Sequence, residues 1–411
     1  MTRRRKRYPR ASWPRTRVGD GELKSNVEHH NPAIAEAIES LDLVDHHVHG
    51  ALKIELDRAL FEDVMTESDR AHRPGTSNFD SQLGFAIRRW CAPLLDLDVF
   101  ADPLAYIERR LALGADEVNR RLLRAAHVGA LLVDTGFAAG DLLDLDQMSE
   151  ASGAPSYEVV RLEAVAEDVA REGVSAKDFA DTFRATLQKR LSSGAVATKS
   201  IAAYRYGLNF DPERPSARDV GVAMGHWLAT IERSGVVRVD DPVLLRFLLW
   251  SGVDAGLPVQ IHTGYGDSDL DLIRSNPAHL TDFLRAAEPI GTPVVLLHCY
   301  PYQREASYLA QMFPNVFFDI GEAINYTGVQ SRQLIAESFE IAPFTKQLYS
   351  SDAWGLAEFH LLGSRLWRNG LTSLFSQWVD ETHWSQADAI RVATLVGRQN
   401  AIDLYHLDAS L

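Results

Sequence analysis

Cysteine is nearly absent from this chain: Cys91 and Cys299 are the only two among 411 residues. Two thiols exclude a disulfide scaffold and a cysteine-based zinc cluster. Lysine is also scarce, with seven against a large excess of arginine. No apolar run approaches the roughly 18–20 residues that span a bilayer, so no membrane association is expected. Nor is there an excess of positive charge, because the formal net charge is −14. Eight of the 42 basic residues fall within the first 17 positions, where no acid occurs, so the rest is more acidic still. Such a body repels nucleic acid, and none is expected as a partner. The basic stretch is not followed by the apolar segment of an export signal, and a cytoplasmic location is expected. Residues 1–25 read as a disordered basic tail.

With hydrophobic residues at 46% and charged residues at 24%, the chain can build a sizeable core. Short apolar runs read as buried parallel strands. They cover Leu41–Asp45, Val128–Asp134, Tyr157–Leu162, Ala195–Ala203, Pro258–His262, Val294–His298, Val316–Ile320 and Gln347–Ser351. Helical patterns lie between them, including Ala176–Leu191, Ala217–Ile231, Pro242–Asp254, Ala278–Ala287 and Ala357–Trp367, and a final helix is expected over Gln386–Leu404. Eight strands alternating with helices predict an α/β fold, a (β/α)8 TIM-like barrel over residues 26–411. Residues 51–127 are too long for one crossover and predict a mainly helical insertion after the first strand, placed to cap the barrel mouth.

Polar residues cluster at the ends of these strands. The first reads Val44-Asp45-His46-His47-Val48-His49-Gly50, and residues two apart on an extended segment share a face. His47 and His49 can therefore hold one ion between two imidazoles. The fifth and sixth strands end in His262 and His298, and the eighth ends in Asp352. Singly, each has an ordinary explanation: a core histidine, or a helix N-cap for the aspartate. Lys199 is the odd residue, a rare lysine inside an apolar strand, where an unpaired charge costs several kcal/mol. A buried ion pair would explain it. So would a nearby metal field that lowers its pKa and lets the neutral amine take up carbon dioxide as a bridging carbamate. Five strand ends contributing such residues at the C-terminal face, where this barrel builds its sites, point jointly to a metal centre.

On these residues the chain resembles the amidohydrolase superfamily over about residues 38–400. The resemblance matches His47 and His49 to the first-strand ligand pair and Lys199 to the carboxylated bridging lysine. It matches His262 and His298 to the next two ligands, and Asp352 to the last ligand and catalytic base. Val44–Gly50, Lys199–Arg205, His298-Cys299-Tyr300-Pro301 and Ser351-Asp352-Ala353 resemble the amidohydrolase-2 branch found fused to glutamine-synthetase-like domains, the FluG type. The synthetase-like half is not expected in this chain.

The resemblance implies two divalent ions, zinc first and manganese or iron as alternatives, with water activated between them and Asp352 moving its proton. It implies cleavage of the C–N bond of a small carboxylate-bearing amide, such as a γ-glutamyl or N-acyl amino-acid conjugate. Arg205, Tyr300 and Glu322 are the candidate substrate contacts. Tyr302, Trp354, Arg161 and Glu163 lie close to the same strand ends. The competing expectations are a one-metal decarboxylase, a lactonase or esterase, and a barrel that only binds. A small-molecule partner and a homo-oligomer are expected.

Overall fold

The computed structural model describes residues 31–408 apart from 72, 138 and 139, so the tail expected at 1–25 lies outside the described residues. Seven strands form one parallel sheet in sequential order. They are β1 (Leu43–Val48), β2 (Val128–Asp134), β3 (Ser156–Arg161), β4 (Ala197–Ser200), β5 (Val259–Thr263), β6 (Val294–His298) and β7 (Val316–Phe318). The sheet curls into an α/β TIM-like barrel.

The expected eighth strand, Gln347–Ser351, forms no ladder, and that expectation is corrected. One parallel bridge joins Gln347 to Phe318. Leu348 N–H then donates to the Phe318 carbonyl at 3.0 Å, and His46 N–H donates to the Tyr349 carbonyl at 3.3 Å. These bonds close the barrel between β7 and β1. Asp45 interrupts the pairing at Ser351: its carboxylate accepts from Ser351 N–H at 2.9 Å and Ser351 Oγ at 2.6 Å, and backbone bonds resume beyond it, from Asp352 N–H to the His47 carbonyl (3.2 Å) and from His49 N–H to the Ala353 carbonyl (2.8 Å). The outer helix Ala357–Asp380 lies directly over this segment. A Cβ at Gly363 would meet Ser351 Cβ at 2.4 Å, so only glycine permits that approach.

Other boundaries move as well, the first strand from Leu41–Asp45 to Leu43–Val48 among them, and two of the shifts have a visible cause. The fourth strand stops at Ser200, and Ala202–Arg205 turns helical, because the Glu163 carboxylate takes up Ser200 Oγ (2.7 Å) and Ile201 N–H (3.1 Å). The helix expected to end at Trp367 runs to Asp380, since Gly370 is a packing glycine rather than a stop. A Cβ there would lie 2.6 Å from Ile335 Cδ1.

The barrel interior is apolar at its floor. Val44, Ala130, Leu132, Val159, Ala197, Val295, Leu297 and Leu348 pack inward, and Ala401, Ile402, Leu404 and Tyr405 of the last helix plug them from below. Leu43, Leu131, Val133, Val259, Ile261, Val294 and Leu296, on the alternate phase, pack outward in the larger core. Between β1 and β2 come helices Arg58–Val64, Gln82–Ala86, Pro103–Leu113 and Ala115–Ala125. They are anchored to the outer helix by buried Arg110, which donates to both oxygens of Glu358 at 2.8 and 3.2 Å, and by Tyr106, which donates at 2.8 Å. No helix among the described residues is long and apolar enough to cross a membrane.

Candidate metal centre

The upper barrel interior is polar, and its backbone departs from simple alternation to make it so. The register between β1 and β2 slips between Asp45 and Val48, as in a bulge. His46 and His47, although consecutive, both therefore reach interior partners. His46 makes contacts of 3.0 Å with Tyr405 Oη and with Asp319 Oδ2. His47 Nδ1 lies 2.8 Å from Gln260 Oε1 on β5. On β6 the inward phase belongs to Val295 and Leu297, so His298 would face out. Its φ of 67° turns it in, as a φ of 48° does for Asp352. Left-handed conformations of non-glycine residues are strained and are found where the surroundings hold them. At His298 the holder is Asp319, whose Oδ1 accepts from His298 N–H at 3.0 Å and Gly321 N–H at 2.7 Å.

Hydrogen bonding fixes the tautomers of three histidines. Gln260 Nε2 donates to the His46 carbonyl (2.9 Å) and faces Tyr405 Oη (3.0 Å), leaving Oε1 as an acceptor. His47 must then carry its proton on Nδ1 and turn the Nε2 lone pair into the site. His49 Nδ1 donates to the Asp134 carbonyl at 3.3 Å, which frees Nε2. His262 Nε2 donates to the Tyr265 carbonyl at 2.9 Å, which frees Nδ1. Both His298 ring nitrogens are buried without a hydrogen-bond partner among the described residues. Burial, followed by the Lys199 charge, holds His47 and His262 well below the usual imidazole range. Burial and the neighbouring His262 do the same for His298, and burial brings His49 to about 3. Four neutral imidazoles at neutral pH are four available donors.

Asp352 joins them. Its oxygens lie 3.3 Å from His47 Nε2, 3.7 Å from His49 Nε2 and 3.3 Å from His298 Nδ1, and buried Oδ1 accepts no hydrogen bond. His47, His298 and Asp352 have the spacing of a metal-holding group, as do His47, His49 and Asp134. Lys199 Nζ sits 2.9 Å from His47 Nε2 and 3.8 Å from Asp134 Oδ2. Burial lowers its pKa, with Asp134 opposing. The six ligand candidates therefore occupy one buried cluster. The nitrogen lone pairs and the unpartnered carboxylate oxygen suit a divalent cation, and buried polar groups left unpaired would otherwise be costly.

The cluster floors a cavity of about 670 Å³. His49, Lys199, His262, His298, Arg205, Glu322 and Asp352 line it, together with Arg161, Tyr204 and Trp354. Tyr300 does not, and that expectation is corrected: its side chain packs half-buried against the core, 6.4 Å from the Tyr265 ring. Nearby Tyr302 donates to the Leu272 carbonyl at 3.0 Å. Arg205 lines the cavity, but its guanidinium is held by Glu167 at 3.1 Å.

Sequence reasoning overlooked Asp134, Gln260, Asp319 and Glu67. Asp134 ends an apolar strand as His262 and His298 do, and Gln260 is a polar residue inside one, so those two left a signal. Glu67 and Asp319 left none.

A family model described as Amidohydrolase matches residues 223–407. The protein fluG of Emericella nidulans is 27% identical over 414 residues, covering 92% of this chain and 47% of that protein, so the chain spans about half the length of this curated relative. A solved structure from Lactobacillus casei ATCC 334, provisionally assigned as a metal-dependent hydrolase, is 30% identical with a TM-score of 0.79, covering 92% of this chain and 98% of that one. The glucuronate isomerase of Caulobacter crescentus shares the fold, at 14% identity and a TM-score of 0.61 over 97% of each chain.

Proposed function

The chain belongs to the amidohydrolase family of metal-dependent hydrolases, and on that premise we propose a two-metal enzyme that cleaves the C–N bond of a small carboxylate-bearing amide. The observation that carries this reading is the convergence of the His47, His49 and His298 ring nitrogens on an aspartate with an unpartnered oxygen at the base of a cavity. His47, His49, His262, His298 and Asp352 would hold the ions, and Lys199 would complete the set as a carbamate. Zinc suits a donor set rich in neutral nitrogen. When bound, such ions supply Lewis acidity and bring the pKa of water towards neutrality.

Lys199 is suited to the carbamate because burial favours its neutral amine, which alone attacks carbon dioxide. Burial raises the affinity of Asp352 for a proton well above that of an ordinary carboxylate. It is placed to take the proton of the attacking water and pass it to the departing nitrogen, as base and then acid. Arg161, already bound to Asp134 at 2.6 Å, presents a guanidinium at the cavity wall for the substrate carboxylate. The substrate is a small molecule, not nucleic acid, in keeping with the acidic body of the chain.

The test is metal content per chain by mass spectrometry, on protein prepared with bicarbonate and zinc or manganese, followed by a panel of small amides. Two tightly held ions with amide turnover are expected. Asp352→Asn should reduce kcat by about a thousandfold with an unchanged circular dichroism spectrum. One ion without amide turnover would replace this reading with a mononuclear decarboxylase or lactonase.

A further inference from the structure

Charge in the cavity wall is unevenly satisfied. Most cations there are held by protein: Arg161 by Asp134 (2.6 Å), Arg205 by Glu167 (3.1 Å, its Nε left without a hydrogen bond), Arg238 by Asp269 (3.0 Å) and Lys199 beside Asp134 (3.8 Å), while exposed Arg70 comes only to 4.0 Å from Asp69. Glu322 and Glu67 differ, as does Asp267, which accepts from Asp269 N–H at 2.8 Å. Glu322 is 4% exposed, lines the cavity, and its Oε2 is buried without a hydrogen-bond partner. Glu67, which also lines the cavity, meets neutral donors: Tyr326 Oη at 2.6 Å and Trp354 Nε1 at 3.2 Å. Each carboxylate repels the other through space.

The wall around them is aromatic. Tyr326 belongs to the short helix that begins beside Glu322, Tyr265 packs 5.5 Å from Tyr326, and Trp354 and Tyr204 line the cavity. Aromatic faces beside uncompensated carboxylates attract a cation, and an ammonium has the three donors that an unpartnered carboxylate lacks. The φ of 40° at Glu322 makes this placement costly to keep, as expected of a site held for a ligand.

We propose that Glu322 and Glu67 form an ammonium pocket, so that the substrate carries a protonated primary amine besides the amide that is cut. This deepens the amidase reading and rests on it only for the word substrate. The substrate class becomes amides of amino acids or diamines with the charged amine free.

The test measures binding to the metal-loaded protein by calorimetry, using L-glutamine and glutaramate, which differ only by the α-ammonium group. Glutamine should bind at least about tenfold more tightly, the scale of a charge-assisted hydrogen bond in a partly dry site. Glu322→Gln and Glu67→Gln should narrow the ratio to about twofold or less. Glutamine retains an acceptor for Tyr326 and Trp354, so Glu67→Gln should fold, and melting curves check both variants. Equal affinities, or no detectable binding of either compound, overturn the pocket. A preference that persists in both variants overturns the assignment to these carboxylates. Preference without hydrolysis of any amide leaves the pocket standing and removes the amidase, whereas amide hydrolysis without preference does the reverse.

Discussion

The floor and the mouth of the barrel are built from the same strands on opposite rules. At the floor, alternation is regular, and the inward residues from Val44 to Leu348 are apolar and sealed by the last helix. At the mouth, alternation is broken by a register slip in β1 and by positive φ at His298, Glu322 and Asp352, and buried polar atoms lack partners. The floor is apolar and closely packed and so supplies stability. The mouth carries strain and unpaired donors, which are tolerable because the floor holds the strands in place.

Substitutions at the two ends should therefore fail in different ways. The largest stability effect is expected at the floor. Leu132→Ala should lose about 2–5 kcal/mol in denaturant unfolding while keeping the metal stoichiometry of the wild type. Loss of metal without loss of stability would show that floor and mouth are not separable.

A smaller effect is expected at the join. Gln260→Leu removes the acceptor that fixes the His47 tautomer, and metal affinity should fall about 10- to 100-fold in a chelator competition. Unchanged affinity would mean that the orientation of His47 is set by its packing alone.

The smallest effect concerns a buried imidazole that belongs to neither end. His360, in the outer helix, has no partner on either ring nitrogen among the described residues, and burial alone lowers its pKa to about 3. Between the ordinary imidazole value and that figure, the unfolded chain binds more protons than the folded one. The stability from keeping His360 neutral is thus present above about pH 6.5 and lost as pH falls towards 3. His360→Leu should gain about 1–2 kcal/mol at neutral pH and lose stability less steeply on acidification. Measuring the difference from wild type cancels the opposite contribution of Asp45, which burial pushes up to about 7. Parallel pH profiles for the two proteins would contradict the assignment.

The barrel was legible because its strands are apolar runs and its helices carry a different period. Val128–Asp134, Val294–His298 and helix Pro242–Asp254 fall where the pattern places them. The site was legible for a related reason: histidine, lysine or aspartate at the end of an apolar strand stands out against its neighbours. The eighth strand was misread because an apolar run cannot reveal that Asp45, some three hundred residues away, takes the hydrogen bonds of Ser351. Tyr300 was placed in the cavity because it follows the candidate ligand His298, although position along the chain says nothing about which way a loop residue turns.

Residue type and local period thus determined the architecture and the chemical character of the candidate ligand positions, since burial preference and strand alternation act over a few residues. Only the tertiary structure decided which ring nitrogen of His47, His49 and His262 faces the site, how His298 and Asp352 come to point inward, and that Glu67 and Glu322 line one cavity. Those outcomes depend on hydrogen bonds and charges between segments far apart in sequence, where no local pattern reaches.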